Sequence, residues 1–264
     1  MHSHEQFLRT LTGFQAKFTH LADRYEDTVQ RSAELEAVLD DYSAFITNEA
    51  NEESWEQLNR HDPGHMSRLV EDLRKTSASC VAIMEKYRAW KLLNGDAERT
   101  EYFRNIESCI EKEFGSFRVN ADSKVLLVGS GSFPMTPLYI AKQTGAEVAG
   151  IDIDREAVEL GRRVVEELGS GLKIRLENVF AEHLDGIQEV THIIFSSTVA
   201  NKYELLDQLA GLTNRHVIVA MRYGGGLKSL FNYPMQEVNR RKWSLVETVL
   251  RPGHVFDIAL YQKA

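Results

Sequence analysis

The chain has 264 residues, 43% hydrophobic and 27% charged, with a formal net charge of −8. That balance suits one large or two smaller globular domains and excludes a disordered or collagen-like chain. The acidic excess disfavours nonspecific nucleic-acid binding, and no apolar run reaches the ~18–20 residues of a membrane span. Met1–Glu5 lacks a basic segment followed by an apolar core, so a cytoplasmic protein is expected. Two cysteines, Cys80 and Cys109, are too few for a disulfide framework or a four-ligand zinc site and read as buried core thiols.

Glycine and charge divide the chain. Residues 1–118 hold only Gly13, Gly64, Gly95 and Gly115 of the seventeen glycines, and nearly all of the negative excess. This part is predicted helical. Phe7, Leu11, Phe14, Phe18, Leu21 and Tyr25 recur at spacings of three or four, one apolar helix face. A second helix runs over 32–45. A third segment carries Met66 to Tyr87, and a fourth, about 98–114, carries Tyr102, Ile106, Cys109 and Ile110. Pro63-Gly64 and Asn94-Gly95-Asp96 are the breaks. His61 and His65 would share a helix face suited to metal only on an unbroken helix; Pro63-Gly64 argues for a loop or surface role, and no metal is expected.

Residues 119–264 alternate between strand and helix. Strands are predicted at 124–128, 147–151, 173–176, 192–195 and 216–221, with late strands at 244–250 and 255–261. Helices are predicted at 136–144 and 155–168. Such alternation gives βαβ units and a parallel sheet, whose ligands bind at the carboxyl ends of the strands. The expected fold is therefore α/β: a Rossmann-like domain over 119–264 with an all-helical domain over 1–118 as its lid. The late strands offer an apolar edge for a homodimer.

The loop after the first strand reads Gly129-Ser130-Gly131-Ser132-Phe133-Pro134. Two glycines allow a tight turn and close approach of backbone to a ligand. Proline stands where the dinucleotide fingerprint has its third glycine, which weakens the case for a pyrophosphate cofactor. Asp152 ends the second strand, where a carboxylate accepts from ribose hydroxyls; Ile153 follows it. Asp154 is placed to cap the next helix. Asn178-Val179 follows the third strand and Ser196-Ser197 the fourth.

This layout resembles class I S-adenosylmethionine (SAM) enzymes. The resemblance implies SAM as co-substrate, Asp152 on its ribose, and Asn178 and Val179 against its adenine. Ser196 would lie near its methionyl part. Fold and glycine loop do not distinguish methyl transfer from aminocarboxypropyl transfer, because the position of the nucleophile selects the carbon attacked.

A narrower resemblance lies in two segments. Val128-Gly-Ser-Gly-Ser-Phe-Pro-Met-Thr136 is similar to the Gly-Ser-Gly-Pro-Leu-Pro-Leu-Thr signature of nicotianamine synthases, with Pro134 and Thr136 in matching places. Arg222 followed by Gly226-Leu-Lys-Ser-Leu-Phe-Asn-Tyr-Pro234 is similar to that family's Arg and Gly-x-x-x-Phe-Leu-Tyr-Pro segment. The short length, and the lack of an acid near Ser79 or Val81 where that family's helix carries one, with Glu85 about a turn later, resemble the bacterial branch that makes opine metallophores of the staphylopine type. That resemblance implies transfer of one 3-amino-3-carboxypropyl group from SAM to the α-amine of histidine, with release of methylthioadenosine. It also implies a partner opine dehydrogenase that condenses the product with a 2-oxo acid.

The transferred group carries a carboxylate, so a cation is needed. Arg222 is the candidate clamp, against the alternative of an ordinary surface arginine. Lys228 is a candidate for the acceptor's carboxylate, and Tyr233 for a further substrate contact. The attacking amine must lose a proton, for which Glu85 and Tyr102 on the helical part are candidates, against the alternative of packed or solvated helix residues. A methyltransferase, a nicotianamine synthase-type repeated condensation of SAM, and a non-catalytic nucleotide sensor remain alternatives.

Overall fold

A computed structural model describes all residues except 1, 26–29, 62, 96–109, 111–112 and 114–116. Seven strands form one sheet: β1 (Lys124–Val128), β2 (Glu147–Ile151), β3 (Ile174–Glu177), β4 (His192–Phe195), β5 (Ile218–Tyr223), β6 (Trp243–Val249) and β7 (Asp257–Lys263). Their order is β3-β2-β1-β4-β5-β7-β6. The pairs among β1 to β5 are parallel, and β7 is antiparallel to both its neighbours. The order reverses beside β1, which puts the crevice for ligands between the loops after β1 and β4.

The helices are α1 (His2–Ala22), α2 (Ser32–Thr47), α3 (Glu52–His61), α4 (Pro63–Leu93), α5 (Met135–Thr144), α6 (Arg155–Leu168) and α7 (Lys202–Leu209). Pro63 opens α4, where its missing N–H costs nothing, so His61 ends one helix and His65 lies in the first turn of the next, with Pro63-Gly64 inside α4 rather than in the expected break. Asp154 caps α6 by accepting from the Ala157 N–H at 3.2 Å. Ala157, Leu160, Gly161 and Val164 form its buried stripe. Gly145, at φ +74°, ends α5 in the left-handed conformation.

The strand pattern explains how the two regions join. Val125 and Leu127 face a core shared with Phe18, Leu39, Leu73 and Met84 of the helical region. Leu126 and Val128 face a second core with Phe195, Val219 and Met221. The helical region therefore forms a layer against one face of the sheet, through a continuous apolar interior. Tyr42 crosses into it, donating its hydroxyl to Leu230 O at 2.7 Å.

Two boundaries differ from expectation for one reason. The sequence ends the fifth strand at Met221, but pairing with β7 carries it on through Arg222↔Ile258 and Tyr223↔Asp257. The late strand correspondingly starts at Asp257 rather than Val255. The predicted fourth helical segment lies outside the described residues except for Ile110 and Glu113.

Candidate active site

Gly129 and Gly131 adopt φ values of +83° and +66°, which β-carbons disfavour. A β-carbon on Gly129 would sit 2.8 Å from Val199, and one on Gly131 would sit 1.9 Å from Glu85 Oε2. The glycines thus admit neighbours that any side chain would exclude. The loop is fixed to β2: Gly129 N and Ser130 N both donate to Ile151 O, and Gly131 N donates to Asp152 Oδ2 at 2.9 Å. The other Asp152 oxygen accepts from Asp154 N at 3.0 Å. The carboxylate is held by backbone donors at the strand end before any ligand arrives.

A cleft of about 430 Å³ opens here, within the usual range for small-molecule sites. Glu85, Gly131, Asp152, Ile153, Val179 and Ser196 line it. Ile153 is 78% exposed and Phe180, also on the wall, 59%. Two large apolar side chains exposed on one cleft suit the faces of a flat heteroaromatic ring. Asn178 differs from expectation: it does not line the cleft but turns its amide to Asp152 O at 2.8 Å, bracing the loop from behind. Pro134 also lies outside the lining and precedes the first residue of α5.

Beyond Gly129 lies a smaller chamber of about 60 Å³. Ser130, Thr136, Ser197, Arg222 and Phe256 line it. Glu85 and Ser196 line both spaces, so they stand at the boundary between them. Ser130 and Ser132 have buried hydroxyls without a partner among the described residues. Since buried hydroxyls ordinarily find partners, the Ser130 hydroxyl is placed to serve a ligand in the chamber it lines.

Glu85 is part-buried and accepts from Ser132 N at 3.2 Å. Burial, and then the nearby Asp152 carboxylate, push its carboxyl up to about 8; Ser132 N–H, Arg88 and Arg222 pull the other way. Tyr102, the other candidate base, lies outside the described residues.

The two expected cations are both engaged. Arg222 is no surface arginine: it is buried, and its fork grips Glu113 bidentately at 2.5 and 2.6 Å. It also donates to Thr136 Oγ1 at 2.8 Å and lies over the Phe256 ring at 4.9 Å. A free clamp for a substrate carboxylate is thereby corrected to a clamp on Glu113. Lys228 is likewise turned away, bonded to Asp257 Oδ1 at 2.6 Å and Arg251 O at 2.8 Å, and does not line either space. Tyr233 contributes its carbonyl rather than its ring to the site's support, accepting from Gly224 N and Lys202 Nζ.

Sequence reasoning missed Glu113 and left Lys202 without a role. Lys202 is fully buried, and its ammonium donates to Arg222 O at 2.6 Å, Ser197 O at 3.2 Å and Tyr233 O at 3.3 Å. It ties together the ends of β4 and β5 and the segment that returns to them. Burial, and then Arg74, push it down to about 7, while the three carbonyls favour the ammonium. A lone lysine opening a helix gives no sequence signal for this. Among the described residues no group of three or more His, Cys, Asp or Glu is placed to hold a metal ion.

No family model matches the chain. It is 28% identical over 231 residues to a protein of Pseudomonas aeruginosa (strain UCBPP-PA14) named L-histidine 2-aminobutanoyltransferase, covering 87% of this chain and 86% of that one. A protein of the same name from Yersinia pestis is 28% identical over 256 residues, covering 97% and 95%. The fold is that of the nicotianamine synthase MtNAS. Its structure with MTA and tNA matches at TM-score 0.76 and 16% identity over 98% of both chains. A variant of it with S-adenosylmethionine matches at 0.72 over 95% and 98%. The chain is thus similar in sequence to proteins named L-histidine 2-aminobutanoyltransferase and alike in fold to MtNAS.

Proposed function

We propose that the chain is a SAM-dependent aminocarboxypropyltransferase that moves one 3-amino-3-carboxypropyl group from SAM to the α-amine of histidine and releases methylthioadenosine. The observation that carries the reading is the place of Glu85, whose carboxyl stands at the boundary between a nucleoside-sized cleft and a polar inner chamber. The similarity to histidine aminobutanoyltransferases over nearly the whole chain supports the acceptor.

The cleft takes the nucleoside: Asp152 receives the ribose hydroxyls, and Ile153, Val179 and Phe180 cover the base. The reacting end of SAM then lies toward Glu85 and Ser196. The histidine α-amine attacks the terminal carbon of the propyl chain, the carbon–sulfur bond breaks, and its electron pair neutralises the sulfonium. The new C–N bond leaves nitrogen with one proton too many. Glu85 takes the proton that the amine must shed. A carboxyl at about 8 is well matched to an amine near neutral pH, whereas an ordinary carboxylate is too weak a base. Ser130 and Ser197 supply hydrogen bonds to the polar groups in the chamber. The helical part serves as the lid that brings Glu85 over the site, and the product suits an opine dehydrogenase that condenses its free amine with a 2-oxo acid.

Mass spectrometry after incubation with SAM and D- or L-histidine tests the reading. Methylthioadenosine together with histidine enlarged by one aminocarboxypropyl group is the expected result. S-Adenosylhomocysteine with a methylated acceptor would make the protein a methyltransferase. A nicotianamine-type product from SAM alone would replace histidine with SAM as acceptor.

A further inference from the structure

The ion pair between Glu113 and Arg222 has no evident reason to be where it is. Both side chains are nearly inaccessible, at 1% and 6% exposure, and Glu113 reaches its partner across 109 residues of chain. Burying two charges contributes little net stability, since the desolvation cost offsets their attraction; apolar residues of similar size serve a core as well. Of the two, Arg222 lines the chamber that Glu85 also lines, and Glu113 holds it there without lining the chamber itself.

We propose that Glu113 is a positioning residue for the transfer: by locking Arg222 and partly offsetting its charge, it preserves Glu85 as a base strong enough to accept the amine's proton. The inference rests on the reading of Glu85 given above. Among the described residues, the groups that act on Glu85 are Asp152 at the end of β2, Arg88 one turn along α4, Arg222 on β5 and the Ser132 N–H of the glycine loop. Asp152 favours the protonated carboxyl, and the two guanidiniums favour the carboxylate. With Glu113 in its fork, the charge that Arg222 presents to the chamber is partly offset. Without that carboxylate, a full positive charge would face Glu85, stabilise its ionised form and weaken it as a base. The two bonds to Glu113 and the third to Thr136 also fix the guanidinium's orientation.

The test is Glu113→Gln in the full chain, read by methylthioadenosine release against pH beside the wild type. The acid limb of kcat/KM is expected to move down by about one pH unit, with a lower plateau. A plateau that falls while the limb stays put would overturn the proposal, because a merely structural role scales the rate without moving the limb. The double variant Glu113→Gln/Arg222→Met removes both charges and covers the case in which the single variant fails to fold. Its limb should lie within about half a unit of wild type, and a larger displacement would overturn the proposal. The Glu85 carboxyl is also followed without turnover, by carbon NMR of glutamate-labelled protein with Glu85→Gln as the assignment control. Its midpoint should fall in Glu113→Gln and hold in the double variant; an unmoved midpoint in the single variant refutes the idea. A wild type that releases no methylthioadenosine would sink the reaction reading alone, since the NMR titration still decides the role of Glu113.

Discussion

The cleft and the chamber are adjacent but built on different principles. The cleft is made of backbone and strand ends: glycines at positive φ, a carboxylate held by loop N–H groups, and two exposed apolar side chains. The chamber depends on charged side chains that are already engaged, with Arg222 in its lining held by Glu113, and Lys202 tying the Arg222 and Ser197 carbonyls from outside it. A site for a ligand's common part depends on local chain geometry. A site for the distinctive chemistry depends on charges brought together from distant segments and balanced against one another.

On the proposed reading, the cleft determines binding and the chamber determines rate. Glu85→Gln should do most to sharpen this contrast, lowering kcat by roughly 10²- to 10⁴-fold with SAM affinity changed only a few-fold. A rise in KM for SAM with kcat intact would place the base elsewhere. The same variant has a signature in stability. A carboxyl raised to about 8 helps the fold below its ordinary range, and that help is lost as pH rises through about 8. Removing it should therefore stabilise the ligand-free protein increasingly from about pH 4.5 to pH 8, by about 1–3 kcal/mol at the top, allowing for solvent in the cleft. Denaturant unfolding at several pH values reads this directly.

Asp152→Asn is the reciprocal experiment. Loss of the carboxylate should weaken SAM binding by about tenfold, the worth of one charged hydrogen bond, with kcat reduced far less. Calorimetry beside turnover separates the two; an equal loss in both would dissolve the division between cleft and chamber. The smallest effect belongs to Asn178→Ala. Since its amide braces Asp152 O instead of lining the cleft, SAM affinity should change by less than about threefold. A tenfold loss would return Asn178 to the adenine.

The same division decides what could be read in advance. The glycine loop, Asp152 and the Asp154 cap each depend on residues close in sequence, and their spacing announces them. Ile153 and Val179 follow once the strand ends are placed. Arg222 shows the limit: its position at the end of β5 is legible, but its partner is not, because nothing local marks Glu113 as the residue that folds back to meet it. Lys228 looks like a cation in a glycine-rich loop until β7 brings Asp257 beneath it. Lys202 and Tyr42 work through backbone carbonyls of remote segments, and a carbonyl has no letter in the sequence.

Helix α4 has one more consequence. Successive residues on it do two jobs: Glu85 reaches the glycine loop, while Lys86 grips Asp154 at 2.8 Å and Glu156 at 2.6 Å at the start of α6. The grip that seats the helical layer and the group proposed to receive the proton are therefore neighbours on one helix. If the layer were unseated, the glycine loop would lose its neighbouring carboxylate and the cleft one of its walls in a single motion. The reactive sulfonium would then face solvent with no base aligned beside it. On the proposed reading, seating would work as a safety interlock, with the chemistry armed only while α4 is held against the start of α6.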